Sequence, residues 1–134
     1  MRIALLLLTA LLCFSRPALA NDISAAQDVI RSQEQAFSRD DAKTAYSYAA
    51  PAIRQRFPQP DVFMSMVRDA YTPVYRHRSF EFGEAKVDGD WIAQRVHIID
   101  ADGRPWEALY TLEQQPDGSF KIIGCMLLKA GDAV

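Results

Sequence analysis

The side chains of this sequence that offer chemistry are concentrated in its second half. Arg95 and His97 lie two positions apart in one strand-like run, and Tyr110 lies in the next. An imidazole near a guanidinium and a phenol can recognise an anionic or carbonyl group, or transfer a proton inside an apolar pocket. Cys125 is the one cysteine beyond residue 20, so thiol chemistry there would depend on it alone.

Turn signals divide this half of the chain into strands. Asp88-Gly89, Asp102-Gly103 and Pro116-Asp117-Gly118 separate four runs, over 79–87, 91–100, 106–115 and 119–129. The runs are rich in aromatic and β-branched residues, which favour strands. The pattern predicts an antiparallel meander of four strands.

The predicted turns also fix which residues face each other. A two-residue turn at Asp102-Gly103 places Arg95 opposite Tyr110. A three-residue loop over 116–118 places Tyr110 opposite Gly124 and Glu113 opposite Lys121. The face predicted to lie against the helices carries Trp91, Arg95, His97, Ile99, Trp106, Tyr110, Leu112, Phe120, Ile122 and Met126. The opposite face carries Val96, Ile98, Leu109, Thr111, Ile123, Cys125 and Leu127.

The first half has the periodicity of helices. Apolar residues recur near the helical period over 23–37, and Asp40 or Asp41 can cap a second helix over 42–50. A third helix follows Pro60 and ends before Thr72-Pro73. Helices followed by a meander predict an α+β domain, with the helices packed on one face of a curved four-stranded antiparallel sheet.

Several phrases of the sequence resemble a known family. Residues 35–41 and 117–122 are similar to segments of the nuclear-transport-factor-2-like, or cystatin-like cone, superfamily. More narrowly, residues 49–54, 63–68, Tyr75-Arg76, and Asp117-Gly118 with Gly124-Cys125 resemble the bacterial domain-of-unknown-function family 4864. The resemblance covers residues 21–134 and implies a cone with a pocket between helices and sheet. The superfamily holds both enzymes and non-catalytic binders, so the fold alone does not select between them.

The N-terminus is typical of an export signal. Met1-Arg2 precedes an apolar run over 3–14, and Ala18-Leu19-Ala20 has the small-x-small pattern of a cleavage site. We therefore predict a signal peptide over 1–20, cut after Ala20, and one domain over 21–134 in the periplasm or outside the cell. The run is shorter than the ~20 apolar residues that a membrane-spanning helix needs.

Charge and composition exclude several partners and cofactors. Loss of Arg2 and Arg16 with the leader leaves 13 basic against 17 acidic residues, a net charge of −4. An acidic surface gives no electrostatic reason to expect nucleic acid, or a membrane after cleavage. His77, His97 and Cys125 lack the short spacings of a zinc site. We expect no metal, no cofactor and no internal disulfide.

These observations favour a non-catalytic cone domain that binds a small apolar or amphipathic ligand, or a protein partner. The predicted ligand-binding residues are Arg95, His97, Tyr110, Trp106, Tyr46 and Tyr75. One alternative is an acid–base enzyme of isomerase or dehydratase type in the same pocket. Because no carboxylate falls on the predicted inner strand face, its base would be His97 or a helix carboxylate such as Glu34 or Asp69, and no catalytic residue is assigned. Another alternative is an interaction module that forms a homodimer through its sheet.

Overall fold

The computed structural model describes residues 17–130. Five helices precede a four-stranded antiparallel sheet with strand order β1-β2-β3-β4, so the predicted α+β architecture is confirmed. The helices are α1 (Pro17–Ser38), α2 (Ala42–Ser47), α3 (Pro51–Arg56), α4 (Pro60–Ala70) and α5 (Thr72–Tyr75). The strands are β1 (His77–Asp88), β2 (Trp91–Asp100), β3 (Pro105–Gln114) and β4 (Phe120–Lys129).

Prolines and aspartates set the helix boundaries. Pro51 and Pro60 occupy first-turn positions of α3 and α4, where the missing N–H has no helical partner to lose. Asp41 caps α2 by accepting a hydrogen bond from the backbone N–H of Thr44 at 3.2 Å. Asp40 has φ 56°, a left-handed conformation that reverses the chain between α1 and α2.

The second helix is shorter than the predicted span of 42–50. Residues 48–50 leave the helix and pair with the edge of β4 in a parallel bridge between Ala49 and Ile122. The Ile122 N–H donates to the Tyr48 carbonyl at 2.9 Å, and the Ala50 N–H donates to the Ile122 carbonyl at 2.8 Å. These sheet hydrogen bonds replace helical ones, so α2 ends at Ser47 and α3 begins separately at Pro51.

The loop between β2 and β3 differs from the predicted two-residue turn. It contains three residues, 101–103, with Gly103 at φ 85°. The Asp100 side chain accepts the backbone N–H groups of Asp102 and Arg104 at 2.9 and 2.8 Å, which stabilises the longer loop. Strand pairing therefore shifts by one residue, and a one-residue shift exchanges the two faces of a strand.

This shift overturns the predicted orientation of β2. Arg95 lies opposite Leu109 rather than Tyr110, and His97 lies opposite Glu107. Arg95 and His97 therefore belong to the outer face, and the inward positions of β2 are Ile92, Gln94, Val96 and Ile98.

The hairpin between β3 and β4 follows its predicted loop but acquires a bulge. The Gly118 N–H donates to the Gln115 carbonyl, and Glu113 faces Lys121 as predicted. An extra residue between Ile122 and Gly124 then shifts the register, so Tyr110 faces Cys125 and not Gly124. Cys125 and Leu127 consequently turn inward, whereas Met126, predicted inward, is 58% exposed.

The register of β1 is also interrupted, between His77 and Ser79 and by a bulge between Phe82 and Ala85. Bulges bend and twist a strand, and the two bulged strands form the two edges of this sheet. The inner face packs on α1, α3 and α5, and α4 adds Phe63 and Val67 to a core that includes Ile30, Phe37, Val96, Ala108, Tyr110, Leu112 and Ile122.

Candidate functional site

A cleft of about 390 Å³ opens between the helices and the inner face of β3 and β4. Its volume lies in the range of small-molecule sites, roughly 300–1,000 Å³. Helix α1 forms one wall, α3, α4 and α5 form another, and β4 closes the base. The lining is mainly apolar and aromatic: Phe37, Ala49, Ile53, Phe57, Phe63, Met66, Val67, Ala70, Tyr71, Val74, Ile122 and Ile123.

Tyr110 and Cys125 face each other across β3 and β4 at the base of the cleft. Tyr110 is only 2% exposed, and this burial raises the pKa of its phenol well above its ordinary value. Burial likewise raises the pKa of the Cys125 thiol from 9.0 to about 12. Both groups are therefore neutral at physiological pH, so neither supplies a nucleophile or a general base there.

Gln33 is the one residue with a side-chain amide among the described residues that line the cleft, and it is 4% exposed. Its Nε2 donates to the Ala45 carbonyl at 3.1 Å, which fixes the orientation of the amide. No donor among residues 17–130 reaches its Oε1, although every fully buried side-chain nitrogen or oxygen there has a partner. Because Gln33 lines the cleft, this oxygen is a candidate acceptor for a molecule bound there.

Arg56 is the one charged residue among the described residues that line the cleft. It lies in the last turn of α3, and its guanidinium carbon is 5.8 Å from the centre of the Phe57 ring. Its side chain is exposed, which places a positive charge at the mouth of an otherwise apolar site. Its neighbour Arg54 is engaged instead with the Ala49 carbonyl, at 3.1 Å.

Only Tyr110 of the six predicted ligand-binding residues lines the cleft. Tyr46 donates its hydroxyl to the carbonyls of Phe57 and Arg54, at 2.7 and 3.1 Å, and so ties α2 to α3. Arg95 pairs with Glu107 at 3.2 Å on the outer face. His97 is exposed near Gly83, beyond the sheet from the cleft. A ligand-binding role for these outer residues stays a prediction.

Trp106 lies apart from the cleft, beside a second groove of about 410 Å³. Its indole N–H donates to Asp100 Oδ2 at 2.9 Å, which joins the start of β3 to the end of β2 across the loop. The groove is shared with Arg76, Asp100 and Asp102. Trp106 thus stabilises the loop that determines the strand register.

Tyr75, the last residue of α5, is buried against the turn that follows α1. Its hydroxyl hydrogen-bonds to the Asp40 carboxylate, and the guanidinium carbons of Arg76 and Arg68 lie 4.3 and 5.4 Å from its ring centre. The hydrogen bonds from Tyr75 and Arg76 lower the pKa of Asp40. The Tyr75 phenol and the Arg76 guanidinium thus both contact the Asp40 carboxylate, which indicates a structural role for Tyr75.

We expect Asp40→Asn to reduce the loss of stability that acid causes. A lowered folded-state pKa means that ionised Asp40 stabilises the fold above its unfolded value, 3.8, and that this contribution disappears as pH falls through the folded value. Asparagine retains the tolerance for φ 56° but carries no charge. Urea unfolding from neutral to acidic pH should show a shallower decline for the variant. An exposed control, Asp69→Asn, should follow the wild type, and equal declines in all three proteins would contradict the assignment.

The helix carboxylate considered as a base, Glu34, is held by other side chains. Arg31 pairs with it and also donates to the Phe80 carbonyl at 3.1 and 3.2 Å. His77 Nε2 lies 3.3 Å from Glu34, and its Nδ1 lies 2.9 Å from the Pro73 carbonyl. This cluster joins α1 to α5 and β1, and none of its three ionisable side chains lines the cleft. The second candidate, Asp69, is exposed on α4 and also lies outside the lining.

The outer face differs from the one predicted to support a homodimer. Ile98 and Val96, predicted there, are buried in the core. The exposed large apolar side chains of the sheet are instead Trp91, Met126 and Leu128. A homodimer through this face stays a prediction.

Two further structural observations concern metals and membranes. Among residues 17–130, no three His, Cys, Asp or Glu side chains are grouped so that they could hold a metal ion. Within the same part of the chain, no helix combines the length and the apolar character that crossing a membrane requires.

Sequence reasoning missed Gln33 and Arg56. The signal for Gln33 is its position on the apolar face of α1, between Ile30 and Phe37, where a polar residue must find a partner. No comparable signal marks Arg56, because its place at the cleft depends on α3 forming separately from α2.

Comparisons with known proteins identify the fold and the family. Residues 19–133 match the model of the family described as domain of unknown function (DUF4864). A solved structure described as an NTF-2-like protein of unknown function from Silicibacter pomeroyi has a TM-score of 0.58 and 16% identity, covering 83% of this chain and 98% of its own. None of the curated proteins compared with the chain matches it. The chain therefore belongs to the DUF4864 family and has an NTF-2-like fold.

Proposed function

We propose that the cleft binds a small, mainly apolar molecule and leaves it chemically unchanged. The observation that carries this proposal is an apolar cavity of small-molecule size. Tyr110 and Cys125, the titratable residues at the bottom of this cavity, are kept neutral by burial. Apolar walls with a few placed polar groups are the usual composition of a binding site. The Gln33 Oε1 supplies one such group, an acceptor that can orient a hydroxyl or amine of the ligand.

The surroundings of the cleft support binding over acid–base catalysis. Proton transfer requires a titrating group within hydrogen-bond reach of the reacting atom. Glu34 and His77 are engaged with one another and with Arg31 and the Pro73 carbonyl, away from the cleft lining. We therefore rank the enzyme alternative below a binder.

The site of action in this proposal is outside the cytoplasm. The predicted signal over 1–20 supports it through the basic start, the apolar run and the Ala18-Leu19-Ala20 pattern. Residues 1–16 lie outside the described residues, and α1 begins at Pro17. Binding by a folded core, without nucleotide or disulfide, suits such a location.

The binding proposal is tested with the neutral dye N-phenyl-1-naphthylamine, whose fluorescence rises in apolar surroundings. The wild type should bind the dye saturably, with one site per chain. Met66→Trp should weaken this binding about tenfold or more, because an indole on the cleft wall occupies part of the cavity. The matched control is Val62→Trp on the same helix, since Val62 is 48% exposed and does not line the cleft.

Circular dichroism and thermal unfolding would establish that both variants are folded. Absence of saturable binding to the wild type would refute the proposal. Equal binding by Met66→Trp and Val62→Trp would place the dye elsewhere on the molecule and refute the assignment to this cleft.

A further inference from the structure

The charge at the mouth of the cleft indicates what kind of apolar molecule would fit. Arg56 forms no ion pair and no side-chain hydrogen bond with any residue from 17 to 130. Five of the other eight arginines of this region are engaged: Arg31 with Glu34, Arg39 with Asp41, Arg54 with the Ala49 carbonyl, Arg76 with Asp40 and Arg95 with Glu107. Arg56 is therefore a cation whose planar donor groups are available at a binding site.

The position of Arg56 makes it suited to a ligand rather than to solvent alone. Its guanidinium lies near the Phe57 ring, and Phe57 itself lines the cleft. The described residues that line the cleft include no carboxylate that would repel an anion. A molecule whose apolar body packs on Phe63 and Val67 would bring its outer end to the five N–H donors of Arg56.

We propose that the ligand is an amphipathic anion, with an apolar body inside the cleft and a carboxylate or sulfonate paired with Arg56. This inference rests on the proposed binding function and adds the charge of the ligand to it. A guanidinium holds the two oxygens of such a group in a bidentate arrangement, which gives specificity for planar or tetrahedral anions over neutral polar groups.

Two dyes that share one body separate the inference from the function. 8-Anilinonaphthalene-1-sulfonate is N-phenyl-1-naphthylamine with a sulfonate added, so the pair differs in the anion. Arg56→Gln should weaken binding of the sulfonate about five- to tenfold, as expected for a partly exposed charge-assisted contact. It should change binding of the neutral dye less than about twofold. Added salt should weaken binding of the sulfonate dye to the wild type and should have a smaller effect on its binding to Arg56→Gln.

A matched control separates the local contact from the change in net charge. Arg78→Gln removes the same charge from an exposed position on β1, outside the cleft lining. This control should bind both dyes as the wild type does. Met66→Trp should weaken binding of the sulfonate dye as it weakens binding of the neutral dye, and this result would show that both dyes occupy the cleft.

Each outcome distinguishes the two proposals. If the neutral dye binds in the cleft but Arg56→Gln affects both dyes equally or neither, the anion inference is wrong and the binding function stands. The same conclusion follows if Arg78→Gln reproduces the effect of Arg56→Gln. If neither dye binds saturably, the binding function itself fails. If the sulfonate alone binds and Met66→Trp does not weaken it, its site lies elsewhere and both proposals fail.

Discussion

Replacing Gln94 with alanine is expected to lower the free energy of unfolding by about 3 kcal/mol. Gln94 is 0% exposed and lies on the inner face of β2. Its Nε2 donates to the carbonyls of Gly83 and Arg95 at 3.0 and 2.7 Å, and its Oε1 accepts from Gln27 Nε2 at 3.0 Å. The substitution would leave two carbonyls without this donor and create a cavity beside the β1 bulge.

Companion variants separate these contributions. Gln94→Met retains most of the volume but offers no donor, so we expect about 2 kcal/mol of destabilisation from the lost hydrogen bonds. Gln27→Ala leaves the buried Gln94 Oε1 without its donor and should cost about 1 kcal/mol, because Gln27 itself is only half-buried. Urea unfolding measures the free energy of unfolding of all three variants. A cost for Gln94→Ala no greater than that for Gln27→Ala would show that the bulge is stable without the buried amide.

The thiol of Cys125 is expected to react with iodoacetamide at least about 30-fold more slowly in the folded protein than in the unfolded chain. The attacking species is the thiolate. A rise of the pKa from 9.0 to about 12 reduces the thiolate population about 1,000-fold at mildly alkaline pH, and the greater nucleophilicity of a more basic thiolate offsets part of this reduction. Digestion followed by mass spectrometry of the peptide over 122–129 reports the modification of this residue. The same peptide from protein unfolded in guanidinium chloride gives the reference rate.

A matched control tests the orientation of β4 as well as the pKa. In a Cys125→Ala background, Met126→Cys places a thiol one residue further along, on the exposed outer face. That thiol should react at nearly the reference rate. Similar rates for the two positions would contradict the bulge that turns Cys125 inward.

The raised pKa of Cys125 also predicts sensitivity to alkali. The fold favours the neutral thiol, so this contribution is fully present below the unfolded value of 9.0 and is lost as pH rises toward about 12. The pKa of Tyr110 is also raised, again mainly by burial. Cys125→Ala should therefore unfold less readily with increasing alkalinity than the wild type does.

Order and type of the larger elements could be predicted from the sequence. Alternating apolar residues and three glycine-containing turns indicated four strands, and the Pro116-Asp117-Gly118 loop has the predicted length. Turn composition was a poorer guide at Asp102-Gly103. The same dipeptide serves two- and three-residue loops, and the choice depends on the Asp100 side chain, which caps the longer one.

The candidate site could be predicted less well because it depends on two irregularities. Ile123, the extra residue of the bulge, is of a type common in regular strands. Nothing in the local sequence therefore indicates the bulge that brings Cys125 opposite Tyr110. The shift at the β2–β3 loop likewise moved Arg95 and His97 out of the predicted pocket and Gln94 into the core. Fold class depends on pattern over many residues, whereas the identity of a pocket residue changes with a single step of register.

The bridge between Ala49 and Ile122 has a consequence for how the chain folds. It joins the segment after α2 to the final strand, and nearby Lys121 Nζ donates to the Ser47 carbonyl across 74 positions of sequence. Contacts so distant require the closure of a long loop before they contribute, which slows folding. The cleft lies between these two segments, so it takes shape only after the last strand has docked, and a partly folded chain lacks the cleft until then.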